Sequence, residues 1–287
     1  MSGTLTSPHG NWRDTRDAGP DSGASSIVAR NNSALVPPIA FATPVITIDG
    51  GASTGKSTAA KIVSELLGGL NVIDSGLWFR ALAIVAKHVQ VEPTNPEAVA
   101  KFMERITVRP PHGQDPTIGI SYLDPTVTVT FTFTPQQLEG EYVALRASVL
   151  AQSPAFRVGV IEAQRRLAAD GCVTAGRAQG KEVFSDEFER TAQRAVLRVL
   201  LWADPQVRAE RRFFQDKQRA PSNADELAET LRMIQERDKR DTDRPLAPLI
   251  TRQAAEQAGY LVIETTSKSE RQVAEEIVSA VRKAAQN

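Results

Sequence analysis

The run Gly50-Gly51-Ala52-Ser53-Thr54-Gly55-Lys56-Ser57 spaces its glycines, lysine and hydroxyl as GxxxxGK[ST], the pattern of a phosphate-binding loop. Polyphosphate oxygens need many donors arranged in a concave shell. Glycines let the backbone approach, and successive N–H groups through Thr58, with the N-terminus of a following helix, supply a positive nest. Lys56 reaches the β and γ phosphates. The Ser57 hydroxyl is the expected metal ligand, holding Mg²⁺ that bridges those phosphates. A Gly-rich turn that binds nothing is the alternative, but the apolar run Val45–Ile48 before the motif and the amphipathic stretch after it supply the strand and helix that the motif requires. The expected ligand is ATP with Mg²⁺.

Two further clusters could meet the other end of a phosphoryl transfer. Asp74-Ser75-Gly76-Leu77-Trp78-Phe79-Arg80 follows the short apolar run Val72–Ile73, at the end of a strand where open α/β sheets place ligand loops. Local sequence fits a simple helix cap at Asp74-Ser75 equally well. Farther on, Arg237, Arg240, Asp241 and Arg244 fall at helical offsets that set three guanidiniums and a carboxylate on one face. Arginine forks pair with phosphate oxygens and keep their charge. A solvated helix laced with charge pairs is the competing reading, and the upstream phosphate loop favours phosphate contact.

The elements that must position these residues alternate between short apolar runs and longer helical segments, the pattern of a parallel sheet with crossover helices. Strands are expected at Val45–Ile48, Val72–Ile73, 172–174, 196–203 and 260–264. Helices are expected at 56–67, 77–88, 96–105, 135–151, 155–169, 205–217, 223–240 and from Ser269 onward. Residues 126–134 alternate β-branched and aromatic side chains at period two amid prolines, which predicts a small antiparallel insertion. Residues 1–43 are rich in Ser, Gly, Pro, Asn and Asp, and are expected to form a disordered tail.

At 287 residues with 41% hydrophobic side chains, the chain has enough apolar mass for an enzyme-sized core. Its 34 basic and 34 acidic residues cancel, so no global field draws it to nucleic acid or anionic lipid. One cysteine, Cys172, excludes an internal disulfide and a cysteine-rich metal site. With no long apolar run and no secretion signal, a cytoplasmic monomer acting on a small molecule is expected.

From Pro44 to the C-terminus these motifs resemble bacterial cytidylate kinases. That family carries Asp-Ser-Gly, two residues, then Tyr-Arg where this chain has Asp74-Ser75-Gly76-Leu77-Trp78-Phe79-Arg80, and its mobile lid resembles Glu236–Arg244 followed by Pro245-Leu246-Ala247-Pro248-Leu249. The resemblance implies a three-layer α/β P-loop kinase fold. Its core would be residues 44–89 and 171–287, with a helical lid at about 215–245 and an inserted acceptor-binding region at 90–170. It makes Lys56, Asp74, Arg177, Arg237 and Arg244 the catalytic set. Arg240 joins Gly50–Thr58 on ATP, and Ser75, Arg80, Ser148, Arg157, Arg177, Arg237 and Asp241 contact the acceptor, with Ser148 and Arg157 facing its base.

One stretch departs from the family. Where it shows an acidic residue and then Gly-Arg-Asp, this chain reads Ala175-Gly176-Arg177-Ala178. Ala178 cannot accept a hydrogen bond from a base, and Ala175 removes a carboxylate near the metal, leaving Ser57, Asp74 or a neighbour such as Glu182 to arrange Mg²⁺. Phosphate-binding groups persist while base-reading ones have changed, so the expected activity is phosphoryl transfer from ATP to a pyrimidine nucleoside monophosphate with altered base choice. A kinase for a hydroxyl acceptor, such as a modified pyrimidine nucleotide or a modified base in DNA, is one alternative. A non-catalytic nucleotide-binding module is another.

Overall fold

The computed structural model describes residues 44–111 and 115–286, without the side chain of Glu141; the segment 1–43, read above as a disordered tail, lies outside them. Five parallel strands form the central sheet in the order β2 (Asn71–Asp74), β6 (Cys172–Gly176), β1 (Val45–Gly50), β7 (Val196–Trp202), β8 (Leu261–Glu264). Every residue of β1 is buried. A strand covered on both faces reads as a nearly unbroken β-branched run, and Val45-Ile46-Thr47-Ile48 is one.

The pleat sends alternate residues to opposite layers. Ile46 and Ile48, with Val173, Ala175, Val199, Leu201 and Ile263, pack against α1 (Lys56–Leu66) and α10 (Glu270–Ala284). Val45, Ile73 and Cys172 face α2 (Ser75–His88) and α5 (Pro154–Leu167), where Trp78, Leu82, Phe156 and Phe184 fill the larger cluster. The fold is therefore a three-layer α/β sandwich around a parallel sheet.

Between α2 and β6 lies α3 (Pro96–Glu104), then an antiparallel sheet of β3 (Ile106–Arg109), β4 (Ile118–Leu123) and β5 (Thr128–Phe133), then α4 (Glu141–Leu150) and α5. The expected antiparallel insertion has three strands, of which the period-two stretch supplied only the last. The single helix expected over 135–151 is divided. Gly140, at φ +109°, separates a 3₁₀ turn at Gln136–Leu138 from α4. Three short elements gave no legible periodicity: a π-helical turn at Gln179–Val183, α6 (Asp186–Ala192) and α9 (Arg252–Gln257). The helical hairpin α7 (Pro205–Lys217) and α8 (Ala224–Asp243) arches over the end of β1, with Ala209, Leu231 and Ile234 packed on Ala52. No helix among the described residues is long and apolar enough to cross a membrane.

Candidate active site

The phosphate loop joins β1 to α1 as its spacing predicts. Gly55, at φ +89°, occupies the left-handed region and N-caps α1 without any side-chain hydrogen bond. The first amides of the helix are thus left unsatisfied by a cap, which makes them available to phosphate oxygens. Thr54 braces the loop, donating from Oγ1 to the Gly51 carbonyl at 3.1 Å and accepting on its own carbonyl from Thr265 Oγ1 at 3.2 Å. A Cβ on Gly51 would lie 2.5 Å from Arg208 Nη1 and 2.7 Å from Asp238 Oδ2, so a larger residue would push the ends of that ion pair away from the loop.

Lys56 curls over this nest and donates from Nζ to the Gly51 carbonyl at 2.5 Å. Burial, then the Arg177 and Arg237 charges, push its pKa down to about 7 against the opposing pull of Asp74 and Asp238. Anionic phosphate would restore the ammonium. Beside it, Ser57 Oγ donates to Asp74 Oδ2 at 2.5 Å, while Asp74 Oδ1 accepts from the Leu77 amide at 3.2 Å and caps α2. Asp74 therefore caps α2 with one oxygen and holds the Ser57 hydroxyl with the other. A hydroxyl and a carboxylate at the mouth of the loop are the hard oxygen donors that Mg²⁺ takes. No group of three or more His, Cys, Asp or Glu side chains converges among the described residues, so phosphates and water would have to complete the shell.

Facing the loop, a chain of ion pairs ties three elements together. Arg177, just after β6, contacts Asp238 at 2.9 Å and Asp241 at 3.0 Å on α8. Asp238 also pairs with Arg208 of α7, and Asp241 with Arg244 at 3.5 Å. The Ala52 amide donates to Asp238 Oδ1 at 3.0 Å. Burial pushes the Asp238 carboxyl up, but Arg208, the Ala52 amide and Arg177 outweigh it and hold the group below the usual carboxylate range. Arg237 lies in the same cluster, its pKa brought down to about 10 by burial and by Arg177 and Arg80. Arg80 is lowered by burial as well, countered by Asp74. Both remain charged at neutral pH. Lys56, Arg80, Arg177 and Arg237 thus form one group of cations whose charges act on one another beside the phosphate loop.

The expected face of α8 needs correction. Helix α8 ends at Asp243, and Arg244 is its C-cap in extended conformation, donating from Nε to the Ala247 carbonyl at 2.6 Å. At roughly 100° per residue, Arg237, Asp238 and Asp241 share the arc toward the loop, and Arg240 falls on its flank, exposed. Packing of Ile234 against Ala52 and Ala209 sets that arc. Asp238, which the offset pattern passed over, occupies the inner position.

On the acceptor side, Arg157 donates from Nε to the Ala151 carbonyl at 2.7 Å and lies over the Phe79 ring, 5.9 Å from its centroid. Burial and the neighbouring Arg244 lower its pKa to about 10, with Glu182 opposing. Ser75 is buried against Gly176, where an added Cβ would lie 2.6 Å from its Oγ. Ser148 is exposed on α4, and no side-chain hydrogen bond holds it among the described residues. Ala175 is in register with Asp74 and buried in the α1 layer, and Ala178 is buried at the N-cap of the π-helical turn.

A buried carboxylate in the central strand also escaped the sequence reading. Asp49, fully buried at the end of β1, accepts the Gln179 amide on Oδ1 at 2.7 Å and the Gly180 amide on Oδ2 at 2.9 Å. Burial raises its pKa to about 6, against those two hydrogen bonds and Lys56. This carboxylate fixes the turn carrying Arg177 and Ala178 to the strand carrying the phosphate loop. Its signal was a charged residue inside an otherwise apolar strand.

A family model described as cytidylate kinase matches residues 46–283. Curated proteins named cytidylate kinase, from Marinomonas sp. (strain MWYL1) and Stutzerimonas stutzeri (strain A1501), are 32% identical over 242 residues and 35% identical over 239. These alignments cover 84% and 83% of this chain, and 96% and 95% of the two relatives. Among solved structures, a shikimate kinase from Acinetobacter baumannii in complex with shikimate superposes at a TM-score of 0.39 with 15% identity, covering 86% of this chain and 98% of that one. That likeness is too slight to bear on function. The family match over residues 46–283, with the relatives covered over nearly their full length, makes this chain a member of the cytidylate kinase family.

Proposed function

We propose that this nucleotide kinase moves the γ-phosphoryl group of ATP to a pyrimidine nucleoside monophosphate, and that it reads the base differently from the family pattern. The observation that carries this reading is the gathering of Arg80, Arg177 and Arg237 near Lys56, the first residue of a helix whose amides no side chain caps. Cations grouped beside such a loop suit two phosphorylated ligands meeting end to end.

In this reading Lys56 and the loop amides hold the β and γ phosphates of ATP. Ser57, with Asp74, would hold Mg²⁺, which neutralises phosphate charge when bound. Arg80, Arg177 and Arg237 grip the acceptor phosphate, and Arg244 adds charge where the two ligands meet. Phosphoryl transfer asks mainly for alignment and positive charge around the moving group, so no strong base is needed. The α7–α8 hairpin acts as the lid, and the insertion between α2 and β6 forms the acceptor side. Closure excludes water, which would otherwise take the phosphoryl group.

A coupled assay for ADP formation across CMP, dCMP, UMP and the purine monophosphates tests the proposal. Turnover with at least one pyrimidine monophosphate is expected. Silence with every monophosphate, while the protein still binds ATP, would overturn it.

A further inference from the structure

The loop that follows β8 is clasped by the first helix of the hairpin. Arg211, on the second turn of α7, donates from Nη1 to Thr265 Oγ1 at 3.1 Å and from Nη2 to the Thr265 carbonyl at 2.5 Å. At the N-cap of the same helix, the Asp204 amide donates to Thr266 Oγ1 at 3.0 Å. The Thr265 amide donates to the Trp202 carbonyl at 2.7 Å and so continues the pairing of β7 with β8. Arg211 forms no ion pair among the described residues, and its fork is given over to this loop.

Thr265 is buried, and its hydroxyl has one proton to give. A guanidinium can only donate, so Arg211 occupies a lone pair of Oγ1 and leaves the proton to the Thr54 carbonyl, 3.2 Å away. Thr54, also buried, passes the restraint on, since its own Oγ1 donates to the Gly51 carbonyl at 3.1 Å. That carbonyl has a second donor in Lys56 Nζ at 2.5 Å. Polyphosphate would draw the ammonium off the carbonyl, and of the two donors only Thr54 would stay behind. The loop thus leans most on Thr54 when it is occupied.

We propose that Thr265, oriented by Arg211, is a positioning residue for phosphoryl transfer: its hydroxyl holds the Thr54 carbonyl, and through Thr54 it keeps the phosphate loop in shape while Lys56 turns to the phosphates of ATP. This role deepens the function proposed above and rests on its placement of ATP. The hairpin then grips the loop at two points. Helix α8 reaches the Ala52 amide directly through Asp238, and α7 reaches Thr54 through Thr265.

Affinity for MgATP is measured by calorimetry, without an acceptor, on wild type, Thr265→Val, Thr265→Ser and Arg211→Ala. The melting temperature, KM for ATP and KM for the acceptor that wild type turns over best are followed in parallel. Valine keeps the shape of threonine and leaves the buried Thr54 carbonyl without its donor. Thr265→Val should weaken MgATP binding by about tenfold and raise KM for ATP with it, while KM for the acceptor holds. Thr265→Ser, which keeps the hydroxyl, should recover most of that loss. Arg211→Ala should also weaken MgATP binding, and it reads the same chain from the other end if Thr265→Val does not fold. Unchanged MgATP affinity in folded Thr265→Val, or in Arg211→Ala where the valine variant does not fold, overturns the inference even if the melting temperature falls, because the contact then serves the fold alone. Equal losses in Thr265→Val and Thr265→Ser overturn it too, as does an equal rise in both KM values. Weaker MgATP binding in Thr265→Val, recovered in Thr265→Ser, by a protein that turns over no monophosphate would uphold the role of Thr265 and defeat the proposed transfer.

Discussion

Asp238, on the second helix of the hairpin, accepts a hydrogen bond from the amide of Ala52 inside the phosphate loop at 3.0 Å. The same carboxylate receives Arg208 and Arg177, so one side chain joins the loop, the hairpin and the turn after β6. Asp238→Ala would leave the buried Arg208 guanidinium without its carboxylate and Arg177 with Asp241 alone. We expect a loss of about 1–3 kcal/mol in stability, read by urea unfolding, and a fall in kcat/KM of about tenfold or more. Wild-type values for both would show that the contact carries no weight.

Asp49 predicts a pH dependence. Its pKa rises from 3.8 to about 6 on folding, so between those values the folded state holds the extra proton, and this group's contribution to stability falls as pH rises. At about 1.4 kcal/mol per unit, the span amounts to ~3 kcal/mol. Asp49→Asn cannot titrate. Whatever it loses by offering an amide N–H to one of two backbone donors, its stability should gain on wild type by up to ~3 kcal/mol between about pH 4 and about pH 7. Parallel stability curves for the two proteins would contradict the burial argument.

If the proposed mechanism holds, with the ammonium supplying charge where the phosphoryl group moves, Lys56→Ala should lose most transfer activity, by about two to three powers of ten in kcat. Arg177→Ala should act differently, raising KM for the acceptor as well as lowering kcat. Initial-rate measurements with each substrate varied distinguish the two patterns, and near-normal rates in Lys56→Ala would refute the assignment of the loop.

Ser57→Ala and Asp74→Asn should each raise the Mg²⁺ concentration needed for half-maximal rate, by about tenfold, with less effect at saturating metal. Chelation of Mg²⁺ should abolish turnover in wild type. An unchanged Mg²⁺ titration in both variants would mean that the hydroxyl and carboxylate pair at 2.5 Å only caps α2.

The phosphate loop was legible because its residues are contiguous and the strand and helix around it have strong periodicity. Arg177 and the arginines of α8 were legible through the family resemblance. The role of Asp238 was not, since nothing local tells which side of α8 meets the loop; Ala52, Ala209 and Ile234 decide that by packing, and they carry Arg240 outward. Asp49 was hidden for the opposite reason. It sits in a run that reads as plain strand, and its partners are backbone amides 130 and 131 residues away, which no side-chain pattern reports. The π-helical turn and α9 were too short for periodicity to register.

The tether from Asp49 to Gln179 and Gly180 acts on backbone amides, so it does not depend on the side chains at the flanking positions 178 and 182. Positions 178 and 182 can therefore change while the turn that carries Arg177 keeps its place beside the phosphate loop. A lineage, or a designer, could thus vary these two codons without unfastening the turn from the central strand.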